Sequence, residues 1–325
     1  MRGEWILKKW MSWGSALAVS AMLLSGCGTA DQTNDKEKTT QSAQQNAYPL
    51  TVKDATGKEI SIKQEPSKII TLSPSITESL FALDLGDKVT GVTTNDDYPK
   101  EATKKTMVGD MNPNIEKIIS LEPDFVLIDA SSLGTAEAGL EQLRDAGITV
   151  FVVPTANSFD ETYANIELIG KVTNKEAEAK KIVADMQKKV ADVQQKIKDA
   201  NVKERSVFVE TSDAPDIYTA GNNSYMQEMF DLIGANNIAK DGGENWYKID
   251  PEAIVKGNPD VIIVKYDYVP NIMKKIKKRD GFDTITAVKE DQIVQVDDNL
   301  TSRTGPRLAD GLEEIAKAVY PEAFK

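Results

Sequence analysis

From Tyr48 onward the apolar residues of this chain follow two rhythms. Short runs, alternating or continuous, read as strands; longer stretches with an apolar residue every third or fourth position read as helices. Leu50 and Val52, a turn at Asp54-Ala55-Thr56-Gly57, then Ile60 and Ile62 predict a hairpin. Lys68–Leu72, Val89–Val92, Thr149–Val153, Ser206–Glu210 and Gln292–Val296 have the continuous apolar character of buried strands. Helices are predicted from Ser75 to Gly86, from about Ala136 to Ala146, over Phe159–Val172 and Ser224–Ile233, around Asn271–Arg279, and over Leu308–Val319. In the first of these, Ser75 and Glu78 fit a capping box. Strands alternating with helices at this spacing predict parallel sheets.

The longest helical stretch runs from Asn174 to Ala200. Ile182, Met186, Val190, Val193 and Ile197 form one narrow stripe in it, and no Gly or Pro interrupts it. As a helix it is a rod of about 37 Å. The same pattern flanks it on both sides. Upstream, Glu116, Ile118, Pro123 and Asp124 lead into Phe125-Val126-Leu127-Ile128; downstream, Glu252, Ile254, Pro259 and Asp260 lead into Val261-Ile262-Ile263-Val264, in identical spacing without a gap. Each copy reads as a capped short helix, a Pro-Asp turn and a buried strand. The expected architecture is α/β: two Rossmann-like lobes, 48–173 and 201–325, joined by a single long rigid helix, 174–200.

Composition narrows the chemistry. A formal charge of −12 argues against a nucleic-acid partner. The absence of histidine removes the usual general base, the usual zinc ligand and a Ser-His-Asp arrangement together. The single cysteine, Cys27, rules out an intramolecular disulfide.

Residues 1–27 read as an export signal: Arg2, Lys8 and Lys9, then an apolar run from Met11 to Leu24 that is short for a membrane span. It ends Leu24-Ser25-Gly26-Cys27, which resembles the bacterial lipobox, in which the Cys thiol is diacylated and becomes the new N-terminus. Acyl chains there would hold the protein on the outer face of the cell membrane. Residues 28–47 are polar and read as a flexible tether.

Together the lipobox, Leu72-Ser73-Pro74-Ser75-Ile76-Thr77-Glu78, the paired Glu-x-Ile-x4-Pro-Asp blocks, the rod and Arg303-Thr304-Gly305-Pro306-Arg307 resemble one family. It is that of the helical-backbone (class III) solute-binding lipoproteins of ABC importers for cobalamin, ferric siderophores and haem. The resemblance covers residues 48–325. It implies an extracytoplasmic receptor with no cofactor. Such a receptor captures a small-molecule metal chelate or corrinoid between its lobes and delivers it to a permease dimer and its ATPase.

The resemblance also implies roles for residues. Glu116 and Glu252 would dock on permease arginines, a contact that steers and registers more than it binds; on residues alone, each is equally a first-turn carboxylate complementing its helix dipole. Trp246 and Tyr218 match aromatic positions of the cobalamin binders' cleft, and three further aromatic positions appear here as Asn95, Asp110 and Asp129. Arg303 would meet an anionic ligand or brace its loop. Without histidine, a bare transition-metal ion is not the expected cargo. A second class remains open, a surface-anchored enzyme such as a chelatase or hydrolase on the same scaffold. The chain has no Gly-x-Ser-x-Gly, no Walker loop and no histidine, and its Asp and Glu residues show no catalytic spacing, which leaves a carboxylate-only mechanism as the form such an enzyme could take.

Overall fold

The structure, a computed structural model, describes residues 47–325. The expected export signal, Cys27 and the expected tether up to residue 46 lie outside the described residues. No helix among the described residues is long and apolar enough to cross a membrane.

The predicted hairpin is β1 (Leu50–Lys53) and β2 (Glu59–Ile62), antiparallel. The first half continues as β3 (Ile69–Thr71), α1 (Pro74–Ala82), β4 (Val89–Val92), β5 (Thr106–Met107), α2 (Ile115–Ser120), β6 (Phe125–Asp129), α3 (Leu133–Asp145), β7 (Thr149–Val153) and α4 (Phe159–Val172). Its five strands form one parallel sheet in the order β5-β4-β3-β6-β7. The long helix α5 (Glu176–Ala200) follows.

The second half holds β8 (Ser206–Glu210), β9 (Tyr218–Ala220), α6 (Tyr225–Ile233), β10 (Asn236–Asn237), β11 (Trp246–Lys248), α7 (Pro251–Gly257), β12 (Val261–Val264), α8 (Ile272–Ile276), α9 (Thr286–Lys289), β13 (Ile293–Gln295), α10 (Asp298–Ser302) and α11 (Leu308–Val319). Strands β10-β8-β12-β13 make a second parallel sheet, and β9 pairs with β11 as a separate antiparallel ribbon.

The repeated blocks become repeated structure. α2 and α7 are N-capped by Asn114 and Asp250, and the turns after them pass through left-handed Glu122 (φ 50°) and Asn258 (φ 44°). Asp124 then accepts hydrogen bonds from the Ser67 backbone N–H and hydroxyl at 2.9 and 2.6 Å. Asp260 does the same with Ser206, at 2.8 Å for both. Each aspartate thus pins the start of its own strand to the start of the neighbouring one.

α5 packs against α4, α11 and α6. Of its predicted stripe, Met186 and Val193 are buried and Ile182, Val190 and Ile197 half-buried against the core; Ala179 and Val183 widen the stripe. One apolar cluster runs from Phe125 and Phe151 past Met186 and Val193 to Val207 and Val209, so the two sheets share a core through this helix. Each half has a further cluster of its own on the far face of its sheet. Residues 47–325 lie within one compact unit.

Three local expectations change. α1 starts at Pro74 with Ser73 as its N-cap residue, not at a Ser75–Glu78 capping box; Pro74 fits the first turn, where no N–H is needed. Glu78 is freed for a buried role described below. α3 begins at Leu133, one turn before Ala136. The basic helix is only Ile272–Ile276, because Arg279 turns inward to the buried carboxylate of Glu210 in a two-bond fork of 2.6 and 2.8 Å.

Candidate ligand-binding site

In a parallel α/β sheet the side chains just past the carboxyl ends of the strands are free to serve a site. Here that edge of the first sheet and the ribbon and loops of the second half enclose a cavity of about 400 Å³. Ser73, Asp129 and Thr155 line it from the first half; Tyr225, Trp246 and Arg303 line it from the second. A second cavity of about 480 Å³ shares Tyr225, Trp246 and Ser302 with the first and extends past Tyr218 and Lys265. Their sizes suit a drug-sized ligand or part of a larger one.

Trp246 is placed by the loop before it. A Cβ on Gly221 would fall 1.9 Å from the Gly243 carbonyl oxygen, so glycine lets the Asp241–Asn245 loop close on the ribbon. β11 then starts at Trp246, paired with Ala220 of β9. The indole lies against the Tyr225 ring, centroids 5.4 Å apart at 56°, an arrangement favoured by the ring quadrupoles. Tyr218 stands on the exposed end of β9, across from Lys248.

Asp129, the last residue of β6, accepts from the Ser131 N–H (2.8 Å), the Ser131 hydroxyl (2.6 Å) and the Thr155 hydroxyl (2.9 Å), so its carboxylate is fixed in the wall. Asn95 and Asp110 do not share this space. They line a recess of about 60 Å³ beside Met111 and Ser132, which adjoins the first cavity at Ser73 and Pro74. Six sequence-predicted ligand residues therefore divide between two adjoining cavities and one small recess.

Arg303 lines the 400 Å³ cavity but is already engaged. Its guanidinium meets Glu78 Oε1 at 2.9 Å, Asp97 Oδ1 at 2.7 Å and the Asn95 carbonyl at 3.0 Å. Arg307 joins from the next turn, 2.6 and 2.8 Å from the same Glu78 carboxylate, with its guanidinium 3.8 Å from the centre of the Tyr98 ring. Glu78 belongs to the first half and both arginines to the second. A further link lies between α6 and α4: Glu228 accepts from the Phe159 N–H at 2.6 Å, and burial raises its pKa above the usual carboxylate value.

Glu116 and Glu252 sit in the first turns of α2 and α7. Both are exposed, and neither has an ion-pair partner among the described residues. No group of three or more Asp, Glu, Cys or His side chains suited to holding a metal ion occurs among the described residues.

Glu78 and Arg307 stand in the motifs that carry the family resemblance but with no site role expected of them, and Tyr225 and Lys265 stand in no motif. Glu78 passed for a cap because Ser and Glu three apart mimic one. Lys265 carried a signal: it stands in the second repeat where Asp129 stands in the first.

Residues 69–300 match the periplasmic binding protein family, and the chain belongs to that family. It is 46% identical over 321 residues, 98% of this chain and the whole of the relative, to YvrC of Bacillus subtilis (strain 168), named as an uncharacterized ABC transporter substrate-binding lipoprotein. A cobalamin-binding protein of Halobacterium salinarum is 28% identical over 84% of this chain and 75% of its own length. Among solved structures, a protein of Staphylococcus epidermidis described as a possible iron-binding (periplasmic solute-binding) protein is 36% identical. It superposes with a TM-score of 0.73, covering 79% of this chain and all of that one. The vitamin B12 binding protein BtuF of Vibrio cholerae, 25% identical, superposes with a TM-score of 0.67 over 80% of this chain and 99% of that one.

Proposed function

We propose that this chain is the substrate-binding component of an ABC importer. It acts as a receptor that captures an iron-siderophore or cobalamin-type chelate and hands it over unchanged. Residues 48–173 and 201–325 act as its two lobes, and α5 holds their spacing. The observation that carries this reading is the cavity between the halves, with Asp129 on one wall and the Trp246–Tyr225 pair on the other. A chelate brings its own metal ligands, so the protein needs to supply only shape, stacking and hydrogen bonds.

The names of the relatives point the same way: one is a transporter lipoprotein, one binds cobalamin, and one is described as a possible iron-binding protein. Exposed Glu116 and Glu252, at equivalent places in the repeats, suit a permease with matched basic sites. Acylation of Cys27 would anchor the receptor on the extracytoplasmic face.

The experiment is a titration of the purified chain with cyanocobalamin, cobinamide, haemin and ferric siderophores, followed by tryptophan fluorescence, with the bound compound recovered and analysed. Saturable one-to-one quenching and an intact ligand are expected. Chemical conversion of the recovered ligand would replace the receptor with an enzyme.

A further inference from the structure

Lys265 directly follows β12. Counting from Glu116 and Glu252, the spacing of the two repeats stays in step through Asp124 and Asp260 to Asp129 and Lys265. β6 and β12 are both interior strands of their sheets. Equivalent strand ends in the two halves therefore carry opposite charges.

The surroundings of the two groups differ as much as their signs. Asp129 is held by three hydrogen bonds. Lys265 is 3% exposed and forms no ion pair among the described residues. Its Nζ lies 5.0 Å from the centre of the Trp246 ring, 5.6 Å from that of Tyr225, and 3.5 Å from the Tyr225 hydroxyl. That hydroxyl donates onward to the Ser302 carbonyl at 3.3 Å. An ammonium has three protons to give, and the tyrosine oxygen takes one. Two aromatic faces offset part of the cost of burying the charge; the Asp298 carboxylate, on the same cavity, acts on it from a distance, and no carboxylate among the described residues lies within ion-pair reach.

The amine borders the 480 Å³ cavity together with Tyr218, Trp246, Asp298 and Ser302. Arg303, the cation of the neighbouring cavity, is taken up by Glu78 and Asp97. Among the described residues lining these two cavities, Lys265 is thus the cation with no carboxylate bound to it. Burial draws its pKa down to about 8, against a smaller opposing pull from the Asp298 carboxylate.

We propose that Lys265 reads an oxyanion on the ligand: its ammonium, framed by Trp246 and Tyr225, pairs with a carboxylate, phosphodiester or catecholate oxygen of a chelate lying along Trp246. The proposal rests on the chelate-receptor reading above. A lysine serving only as a strut between two rings would support every ligand alike, whereas an oxyanion reader discriminates.

The test uses matched probes that differ in the anionic group: haemin and its dimethyl ester, cyanocobalamin and cobinamide, a ferric tris-catecholate and a neutral ferric trihydroxamate. Affinities are measured on the full chain and on Lys265→Met and Lys265→Gln, with folding checked by circular dichroism. In whichever pair binds, the unmodified chain should favour the oxyanion-bearing member by about tenfold or more, the size of a charge-assisted contact. Both substitutions should erase that preference and leave the neutral member's affinity within about twofold. Equal weakening of both members, or a preference that survives substitution, overturns the role of Lys265 alone. An unmodified chain that binds a pair without preference overturns it with no variant needed. Binding of none of the six probes overturns the chelate reading, and this proposal with it.

Discussion

Glu78 and Arg307 face each other in a two-bond fork, Nε to Oε2 at 2.8 Å and Nη2 to Oε1 at 2.6 Å, across the boundary between the two halves. Arg303 shares the same carboxylate. The Glu78 side chain is 1% exposed, so this fork has little of the solvent screening that weakens surface pairs. Glu78→Ala would leave two arginines facing an empty space. The expected loss is about 3–5 kcal/mol, the usual result of removing one partner of a buried ion pair. Thermal and urea unfolding measure it. A change within the range of surface substitutions would mean that the halves are held by other contacts.

Asp124 and Asp260 make the same strand-start brackets in the two repeats. Asp260→Ala should cost about 1–3 kcal/mol because it strands the half-buried Ser206 donors, whereas Asp124→Ala should cost less, because water can reach the exposed Ser67 and Lys68 donors it leaves. Urea unfolding of the two variants side by side checks this. A larger loss at Asp124 than at Asp260 would contradict this ordering.

Lys265 gives a pH dependence of stability. Its folded pKa is near 8 against an ordinary 10.5. Below pH 8 both folded and unfolded chains carry the proton, and this residue adds no slope. Between about 8 and 10.5 the folded chain releases the proton while the unfolded chain keeps it, so stability rises with pH, by at most about 3 kcal/mol in total. Subtracting the Lys265→Met curve removes the other titrating groups. A difference that stays flat across this window would place the amine in a more watery setting.

Trp246→Ala should weaken chelate binding by about 1–3 kcal/mol, the range of a buried aromatic contact. Fluorescence is lost with the indole, so calorimetry is the suitable measurement. Unchanged affinity would put the ligand elsewhere.

Glu116→Ala combined with Glu252→Ala should abolish uptake in cells while ligand affinity stays within about twofold, since both side chains are exposed and away from the cavities. A matching fall in affinity would contradict a docking role.

The repeats, both sheets and α5 were legible because their signals are local: apolar period, Pro-Asp turns and the spacing from Glu116 to Asp124. Even the left-handed turn residues Glu122 and Asn258 fall in step. Asp129 and Trp246, expected at a cleft from the family resemblance, do line the cavity between the halves, since each sits at a strand end. The site was not legible where two distant segments meet. Glu78 and Arg307 are 229 positions apart, and nothing near either one announces the other. Asn95 and Asp110 line a recess that adjoins the first cavity at Ser73 and Pro74, a placement set by the loop around Met111 and not by chain position. Lys265 is hidden from a search for identical residues, because at that step the two copies carry opposite charges.

The Glu78 cluster bears on how cargo gets out. Two halves riveted together by an ion cluster on one side do not swing apart like a hinged shell. On the receptor reading, unloading then requires outside leverage: the transporter must wedge the rims apart against that rivet, or distort the strand ends until the grip on the cargo slackens. A chelate held this way would stay aboard in free solution and leave only where something pulls on the receptor.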